Sequence, residues 1–474
     1  MVKVHSIGNG IRFLGWLAFF GLIRPEAGAQ KLTGVENYAI NRPGIVMIRT
    51  EYSANVYVNK MRMVTRAFNA LLDSIQKLDN SGAILAEQKL DIVLREMNNN
   101  PGRYFQTTFD YIKQAEQITA IGTGFFVTGD GYVATNCHLI DRDNAFIRRQ
   151  FILSAFRQIT DANISALESA WATSFTEQQR SLLYNTYSSV YSRLFSMVLY
   201  DLRKTVYVVY RSDIQNKATG ERRPASIILK GAPMPGKDIA ILKIEPDKEV
   251  KETPVLSLSD HQLPQVGEQL FVYGYPGPVT NNDFLSVESA LEPTLTTGIV
   301  SAVKKSVNGW PLIQMDANIN HGSSGGPVCN ERGEVVGLTT FGSLENTGGL
   351  AAGLNFAIPV TILREFLDSA GITPHVSKAT SLFAEGLVLF DNQYYRAALK
   401  KFNKVLERNG RYPGIHAYIE ECKRNIEKGR GRNGGPVAHL LFYSCLILAL
   451  FMGLAWVAAV RKGTSGAGGS SGSH

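Results

Sequence analysis

The chain has 474 residues, of which 45% are hydrophobic, and its 49 Lys and Arg against 41 Asp and Glu give a formal net charge of +8. This composition is that of a globular protein with a sizeable core, and it excludes a disordered chain and a polytopic membrane protein. The basic residues are spread along the chain and indicate no nucleic-acid-binding module. Four cysteines are too few for a disulfide-stabilised scaffold, so Cys137 and Cys329, which lie in predicted strands, are expected to be buried and small.

Residues 1–29 follow the plan of a signal peptide. Lys3 and Arg12 precede a short apolar run at residues 13–23, and the small residues before Gln30 predict cleavage there. An uncleaved anchor is the alternative, although a run of this length does not easily span a bilayer.

Two segments with helical periodicity interrupt strand patterns in the first half of the chain, and they cover residues about 60–116 and about 145–202. Between them, strand patterns at 122–127 and 132–138 flank a glycine-containing turn, which predicts a hairpin that ends at His138. The aromatic residues that recur at helical spacing in the second insertion are expected to form its packing face rather than a ligand groove.

Short β-branched segments with frequent turns continue to about residue 360, as in a barrel or sandwich. Among them, residues 320–327 form a glycine-rich turn around Ser324. Glycines on both sides permit a tight bend in which the N–H groups of Gly322 and Ser324 point at one developing oxyanion. A plain surface turn is the alternative, because Gly and Ser are common in turns.

The composition becomes helical after about residue 372. The predicted order is a unit of three amphipathic helices, a Gly/Arg linker, a membrane-spanning helix and a flexible Gly/Ser-rich tail, at residues 378–428, 429–436, 437–460 and 461–474. A signal peptide followed by a spanning helix predicts a single-pass protein of a cell-envelope membrane. The tail would be cytoplasmic, and the rest would be extracytoplasmic, that is, periplasmic or extracellular.

One candidate exists for each role in a nucleophilic triad. A serine hydroxyl needs an imidazole to take its proton and a carboxylate to orient that imidazole. His138 ends a predicted strand, Asp238 precedes one, and Ser324 lies in the glycine turn. Taken singly, each also fits a structural role, as a core histidine, a turn or cap residue and a turn serine. Their order across a chain of short strands makes the combination informative.

These residues lie in motifs that make the chain resemble the trypsin-like serine proteases, specifically the HtrA (Deg-type) branch. The motifs are Gly-Thr-Gly-Phe-Phe-Val with Thr-Asn-Cys-His, Asp-Ile-Ala-Ile-Leu-Lys-Ile, Thr-Gly-Ile-Val-Ser, Asn-His-Gly-Ser-Ser-Gly-Gly-Pro and Asn-Phe-Ala-Ile-Pro-Val, between about Gly44 and Leu367. The resemblance implies a mainly β, chymotrypsin-like protease domain at 30–372, built from two six-stranded antiparallel β-barrels with the triad between them and carrying the two α-helical insertions.

The resemblance also implies the site residues. His138 would be the general base and then the general acid, Asp238 would orient it, and Ser324 would be the nucleophile, with the amides of Gly322 and Ser324 as oxyanion hole. The implied substrate-binding residues are Ile319 as a wall of the specificity pocket and Thr340, Phe341 and Gly342 on a strand that pairs with substrate, Thr340 also bonding Asp238. An aliphatic wall favours small or medium apolar residues at the cleaved bond. Neither a metal nor an organic cofactor is implied.

The chain departs from the family at several points. His321 replaces the usual proline, either as a structural residue or as a source of pH sensitivity. Ser323 stands where digestive enzymes carry an acidic residue, so loop ordering is the expected control. In place of the usual PDZ domain, the all-α unit at 378–428 resembles one tetratricopeptide repeat. The residues that carry this likeness are Gly386, Phe390, Tyr395, Ala398, Phe402 and Leu406.

The leading hypothesis is a membrane-anchored extracytoplasmic serine endopeptidase in protein quality control or regulated proteolysis. Its partners would be protein or peptide substrates, the membrane, a possible protein at the tetratricopeptide-like unit and possible further copies of the chain, but no nucleic acid. The alternative is a catalytically silent scaffold or chaperone that keeps the protease fold and binds proteins through that unit, which could equally be a spacer.

Overall fold

The structure is a computed structural model that describes residues 31–193, 197–214, 217–245, 248–260, 263–277, 285–344 and 350–432. The predicted signal peptide, the predicted membrane-spanning run at 437–460 and the predicted tail lie outside these residues. The predicted linker at 429–436 lies partly outside them.

Two closed antiparallel barrels of six strands each form the centre of the protein, as the resemblance implies. The strands of the first barrel are β1 (Ile45–Met63), β2 (Phe105–Phe126), β3 (Tyr132–Thr135), β4 (Met197–Ile214), β5 (Lys217–Lys230) and β6 (Ala240–Ile244). Those of the second are β7 (Gln269–Gly274), β8 (Thr294–Lys305), β9 (Pro311–Met315), β10 (Pro327–Cys329), β11 (Val335–Leu344) and β12 (Leu350–Pro359). The strands follow the order β1-β2-β3-β6-β5-β4 in the first barrel and β10-β11-β12-β9-β8-β7 in the second.

Helices connect and flank these strands. In chain order they are α1 (Gly34–Asn41), α2 (Thr65–Asn80), α3 (Lys89–Asn99), α4 (Pro101–Tyr104), α5 (Cys137–Ile140), α6 (Asn144–Ala170), α7 (Glu177–Arg193), α8 (Val287–Ala290), α9 (Val360–Ser369), α10 (Lys378–Asp391), α11 (Tyr395–Arg408) and α12 (Ile415–Glu427). Single 3₁₀ turns occur at Arg42–Gly44 and Ala86–Gln88.

Both faces of β1 are buried where it enters the first barrel. Val46 and Ile48 belong to the core of that barrel, whereas Ile45 and Met47 pack in the cluster between the two barrels. Side chains alternate across a strand, so a strand buried on both faces has a continuous apolar sequence. Burial of each such side chain contributes about 1.5–3 kcal/mol to folding.

Strands β1, β2 and β4 continue beyond the first barrel as a three-stranded arm. Strand β1 pairs with β2 as far as Met63 and with β4 as far as Val58. The helices of the two predicted insertions are therefore shorter than about 60–116 and about 145–202, because residues 105–116 and 197–202 are strand. The arm segment of β2 alternates more buried and exposed residues, but its less exposed positions include the half-buried Gln114 and the buried Glu116, so its period of two is poorly marked by apolar residues.

The two insertions pack together on one face of this arm and share one hydrophobic core. Val56 of β1, Met97 of α3, Phe151 of α6 and Tyr187 of α7 are all buried in it. The aromatic residues of α7 are thus a packing face, as predicted.

Helices α10 to α12 form a unit with its own core, which includes Phe383, Phe402 and Ile415. A side chain at Gly386 would overlap the ring of Phe402, so the glycine is what lets α10 and α11 approach. The assignment of this unit as a tetratricopeptide repeat stays a prediction.

The helical unit is attached to the first barrel by backbone and side-chain contacts. Arg408 accepts a hydrogen bond at its carbonyl from the N–H of Lys251 (3.0 Å). The guanidinium of Arg411 binds Glu221 of β5 and Glu249. Burial raises the pKa of Glu221, but hydrogen bonds from Tyr210 and Arg411 outweigh it and hold the pKa below the usual range.

The predicted membrane location is wrong on the evidence of the described residues, in which no helix is both long and apolar enough to cross a membrane. Helix α6 has 27 residues, but it carries Arg148, Arg149, Arg157 and Asp161 along its length.

We expect Arg411→Ala to lower the free energy of unfolding by about 2 kcal/mol at pH 7, since it leaves the Glu221 carboxylate short of a donor. The control is Arg408→Ala, whose half-exposed ion pair with Glu252 should contribute less than about 1 kcal/mol. Urea denaturation measures both. Equal effects of the two substitutions would contradict this role of Arg411.

The difference in free energy of unfolding between wild type and Arg411→Ala should become smaller at acidic pH. The pKa of Glu221 is lowered in the folded protein, so its ion pairing stabilises the fold fully above the ordinary carboxyl pKa of about 4. This stabilisation is lost as the pH falls through the lowered pKa, and the gap between wild type and Arg411→Ala should narrow there.

Candidate active site

The first barrel supplies His138 and Asp238. Helix α5 begins directly after β3 and carries His138, and Asp238 lies just before β6, the neighbour of β3 in the barrel. The Nδ1 atom of His138 is 2.6 Å from Oδ2 of Asp238, and the backbone N–H of His138 donates to Oδ1 at 2.8 Å. With Nδ1 as the donor to the carboxylate, Nε2 is the imidazole atom able to accept a proton.

The Asp238 carboxylate is 1% exposed, and further hydrogen bonds hold it in place. Thr340 of β11 donates its hydroxyl to Oδ2 at 2.9 Å, as the resemblance implies. Asn136 donates its side-chain amide to the Asp238 carbonyl at 2.7 Å. A buried charge must be compensated by hydrogen bonds. Because the Asp238 carboxylate accepts from His138 of the first barrel and from Thr340 of the second, both barrels must be in place to compensate it.

The turn around Ser324 requires its glycines. Gly322 and Gly325 have φ angles of +99° and +81°, in the region that favours glycine. A side chain at Gly325 would overlap the Thr123 carbonyl, and one at Gly326 would overlap the Tyr273 carbonyl. The turn is thus packed between the two barrels rather than lying free at the surface, and its catalytic role stays a prediction.

Thr123 of β2 holds this turn to the first barrel, a role that the sequence analysis missed. Its N–H donates to the Ser324 carbonyl at 2.8 Å. Its hydroxyl donates to the Gly322 carbonyl at 2.7 Å and accepts from the Tyr275 N–H at 3.0 Å. The available signal was a threonine between two glycines in an otherwise apolar strand.

The hydroxyl of Ser324 donates to the Thr340 carbonyl at 3.0 Å. Within the described residues, no hydrogen bond joins it to His138. Thr340 therefore contacts the carboxylate with its side chain and the candidate nucleophile with its main chain. Asp238 thus binds His138 directly and is connected to Ser324 through Thr340, while the Ser324 hydroxyl is bonded to Thr340 and not to the imidazole.

The backbone N–H groups of Gly322 and Ser324 donate to no other described residue. Buried N–H groups are nearly always paired in folded proteins, and unpaired donors beside a candidate nucleophile are able to bind a developing oxyanion.

The remaining predicted site residues lie near the turn or on β11. Ile319 is buried at 5% exposure and packs with Met315 and Ala317 in the core of the second barrel, so its place in a specificity pocket stays a prediction. Phe341 and Gly342 are paired with β12. The side chain of His321 is exposed, and its carbonyl accepts from the Gly277 N–H at 2.6 Å.

Cys137, next to His138, is not a second nucleophile. It is fully buried, and burial raises the pKa of its thiol to about 11, so the thiolate is scarce at neutral pH. Cys137 and Cys329 are both free and buried, as predicted.

Comparison with known proteins supports a protease. A family described as a trypsin-like peptidase domain matches residues 198–338, which include Asp238 and Ser324. Residues 198–338 are thus similar to a trypsin-like peptidase domain, and this similarity supports the predicted serine endopeptidase.

Individual relatives agree with this result. Serine protease HTRA4 of mouse is 37% identical over 138 residues, or 28% of this chain and 24% of that protein. A probable periplasmic serine endoprotease, DegP-like, of a Marinomonas species is 29% identical over 228 residues, or 43% and 45%. The chain spans less than half the length of these relatives. The solved HtrA-type protease AlgW with decapeptide has a TM-score of 0.35 at 16% identity, over 72% of this chain and 67% of that one, and supports no argument.

We expect Thr123→Val to lower the free energy of unfolding by about 3 kcal/mol, because it leaves the Gly322 carbonyl and the Tyr275 N–H buried without a partner. Thr123→Ser keeps the hydroxyl and should stay within about 1 kcal/mol of wild type. Equilibrium denaturation with urea measures both variants. If valine and serine proved equally stable at this position, the hydroxyl would not be what joins the turn to the barrel.

Proposed function

We propose that this protein is a serine endopeptidase that hydrolyses peptide bonds through an acyl-enzyme on Ser324. The observation that carries the proposal is the buried Asp238 carboxylate, which binds Nδ1 of His138 and the hydroxyl of Thr340. The Thr340 carbonyl in turn binds the Ser324 hydroxyl. Trypsin-like relatives support the same reaction class.

The chemistry assigns each group a role. The Ser324 oxygen attacks the scissile carbonyl carbon while Nε2 of His138 takes its proton, and Asp238 stabilises the imidazolium. The N–H groups of Gly322 and Ser324 bind the oxyanion. The C–N bond then breaks as His138 returns the proton to the leaving amine. Water, deprotonated by the same imidazole, releases the acid product and restores Ser324.

A rotation of the Ser324 side chain must precede attack. Its hydroxyl must leave the Thr340 carbonyl, to which it is bonded, and turn toward His138. Catalytic hydrogen bonds in ligand-free enzymes are often misaligned and tighten when substrate binds, so the observed geometry is compatible with an enzyme awaiting substrate.

Extended segments of proteins are the proposed substrates. The ladder between β10 and β11 ends at Leu338, so in the described part of the chain residues 340–342 have no strand partner on that side. An extended peptide can add to such an edge through main-chain hydrogen bonds. A preference for small or medium apolar residues at the cleaved bond, and a role in protein quality control or regulated proteolysis, extend this proposal.

A catalytically silent scaffold is the second candidate. The observation that favours it is the Ser324 hydroxyl bonded to Thr340 rather than to His138. In that case the protease fold would carry the helical unit α10 to α12 as a protein-binding module.

Labelling with a fluorophosphonate probe separates the two candidates. We expect wild type to be labelled, Ser324→Ala not to be labelled, and His138→Ala to react at least about 100-fold more slowly because its serine has no base. Ser369→Ala, which alters an exposed serine of α9, should react like wild type. A folded wild-type protein that never reacts would favour the scaffold.

A further inference from the structure

Two peptide planes decide whether an oxyanion hole exists beside Ser324. In a planar trans peptide, the N–H of one residue points opposite to the carbonyl of the residue before it. The direction of the Gly322 N–H is therefore set by the His321 carbonyl, and that of the Ser324 N–H by the Ser323 carbonyl. Hydrogen bonds that fix the directions of these two carbonyls therefore also fix the directions of the two oxyanion-hole N–H groups.

The two carbonyls are held in different ways. The His321 carbonyl accepts from the backbone N–H of Gly277, a contact that does not depend on a side chain. The Ser323 carbonyl accepts from the backbone N–H of Gly326 at 3.0 Å and also from the hydroxyl of Thr339 at 2.5 Å. The second peptide plane, unlike the first, is thus held partly by a side chain.

Thr339 is fully buried in β11, and its hydroxyl geometry fixes the direction of donation. Oγ1 accepts from the Gly326 N–H at 3.1 Å and lies 3.3 Å from the Gly326 carbonyl. A hydroxyl has one proton to donate, and the shorter contact, to the Ser323 carbonyl, is the better acceptor for it.

We propose that Thr339 is a positioning residue for the oxyanion hole, and that its hydroxyl holds the Ser323 carbonyl so that the Ser324 N–H stays directed at the reacting atom. The proposal rests on the proposed endopeptidase function. Consecutive threonines of one strand then divide two tasks, because side chains alternate between the faces of a strand. Thr340 binds the Asp238 carboxylate, and Thr339 binds the turn that carries the nucleophile.

Loss of this hydroxyl should affect the reaction more than the binding of substrate. Without it, the Ser323 carbonyl keeps only the turn hydrogen bond from Gly326, and the peptide plane is free to rotate. A rotated plane carries the Ser324 N–H away from the hole. Loss of one oxyanion donor typically lowers kcat by about 10²–10³-fold, and it acts only on the transition state.

The experiment compares Thr339→Val, which keeps the shape, with Thr339→Ser, which keeps the hydroxyl. We expect valine to lower kcat on a peptide substrate and the rate of fluorophosphonate labelling by about 10–100-fold, with KM within about twofold of wild type. Serine should restore both rates to within about threefold of wild type. Thr339→Ala against Thr339→Ser tests the same bond should valine fold poorly.

Thr50→Val is the matched control. Thr50 is also a fully buried threonine of a strand, but its hydroxyl has no partner among the described residues. This variant should leave kcat and labelling unchanged.

Wild-type kcat in Thr339→Val, or an equal loss of kcat in the valine and serine variants, would overturn the role of Thr339 while leaving the endopeptidase in place. A folded wild type that neither cleaves peptides nor reacts with the probe would overturn both.

Discussion

The carboxylate of Asp238 connects the docking of the two barrels to the assembly of the site. It is buried, and its hydrogen-bond donors come from His138 in the first barrel and Thr340 in the second. A shift of one barrel against the other would leave a buried charge short of a donor, at a cost of several kcal/mol. Most of the surface between the barrels is apolar, with Met47 on one side and Leu338 on the other. Apolar packing therefore holds the barrels together without fixing their relative position, and hydrogen bonds such as those of Asp238 and Thr123 supply directional contacts.

Much of the candidate site could be predicted from the sequence, because its chemistry demands particular residue types. His138, Asp238 and Ser324 are the residues that the structure brings together, and the glycines of the turn have the backbone angles that the bend requires. Thr123 and Thr339 could not be found in this way. Their importance comes from which carbonyls their hydroxyls reach, and this depends on how distant strands are placed in three dimensions. The two glycines beside Thr123 mark that position as unusual, but nothing in the local sequence shows which carbonyl either hydroxyl reaches.

The barrels could likewise be predicted, but the arm could not. The arm segment of β2 places polar residues such as Gln114 and Glu116 on its less exposed face. Apolar and polar residues therefore do not alternate clearly enough along the sequence to predict a strand. The two insertions share one hydrophobic core. Contacts between residues so far apart in the chain cannot be predicted from local sequence periodicity. The attachment of the helical unit to the first barrel, through Arg411 and its carboxylate partners, is a long-range feature of the same kind.

The arm also imposes an order on biosynthesis. The edge of β1 at Ile48 is completed by Val208 of β4, and Met97 of α3 is covered only when Phe151 and Tyr187 are in place. Chains are made at about 5–20 residues per second. The apolar side of the first insertion therefore stays exposed for on the order of ten seconds, until the second insertion has been synthesised and covers it. During that interval it is a binding surface for a chaperone or for another nascent chain. The residues that form this shared core in the finished domain are therefore open to aggregation while the protein is being made.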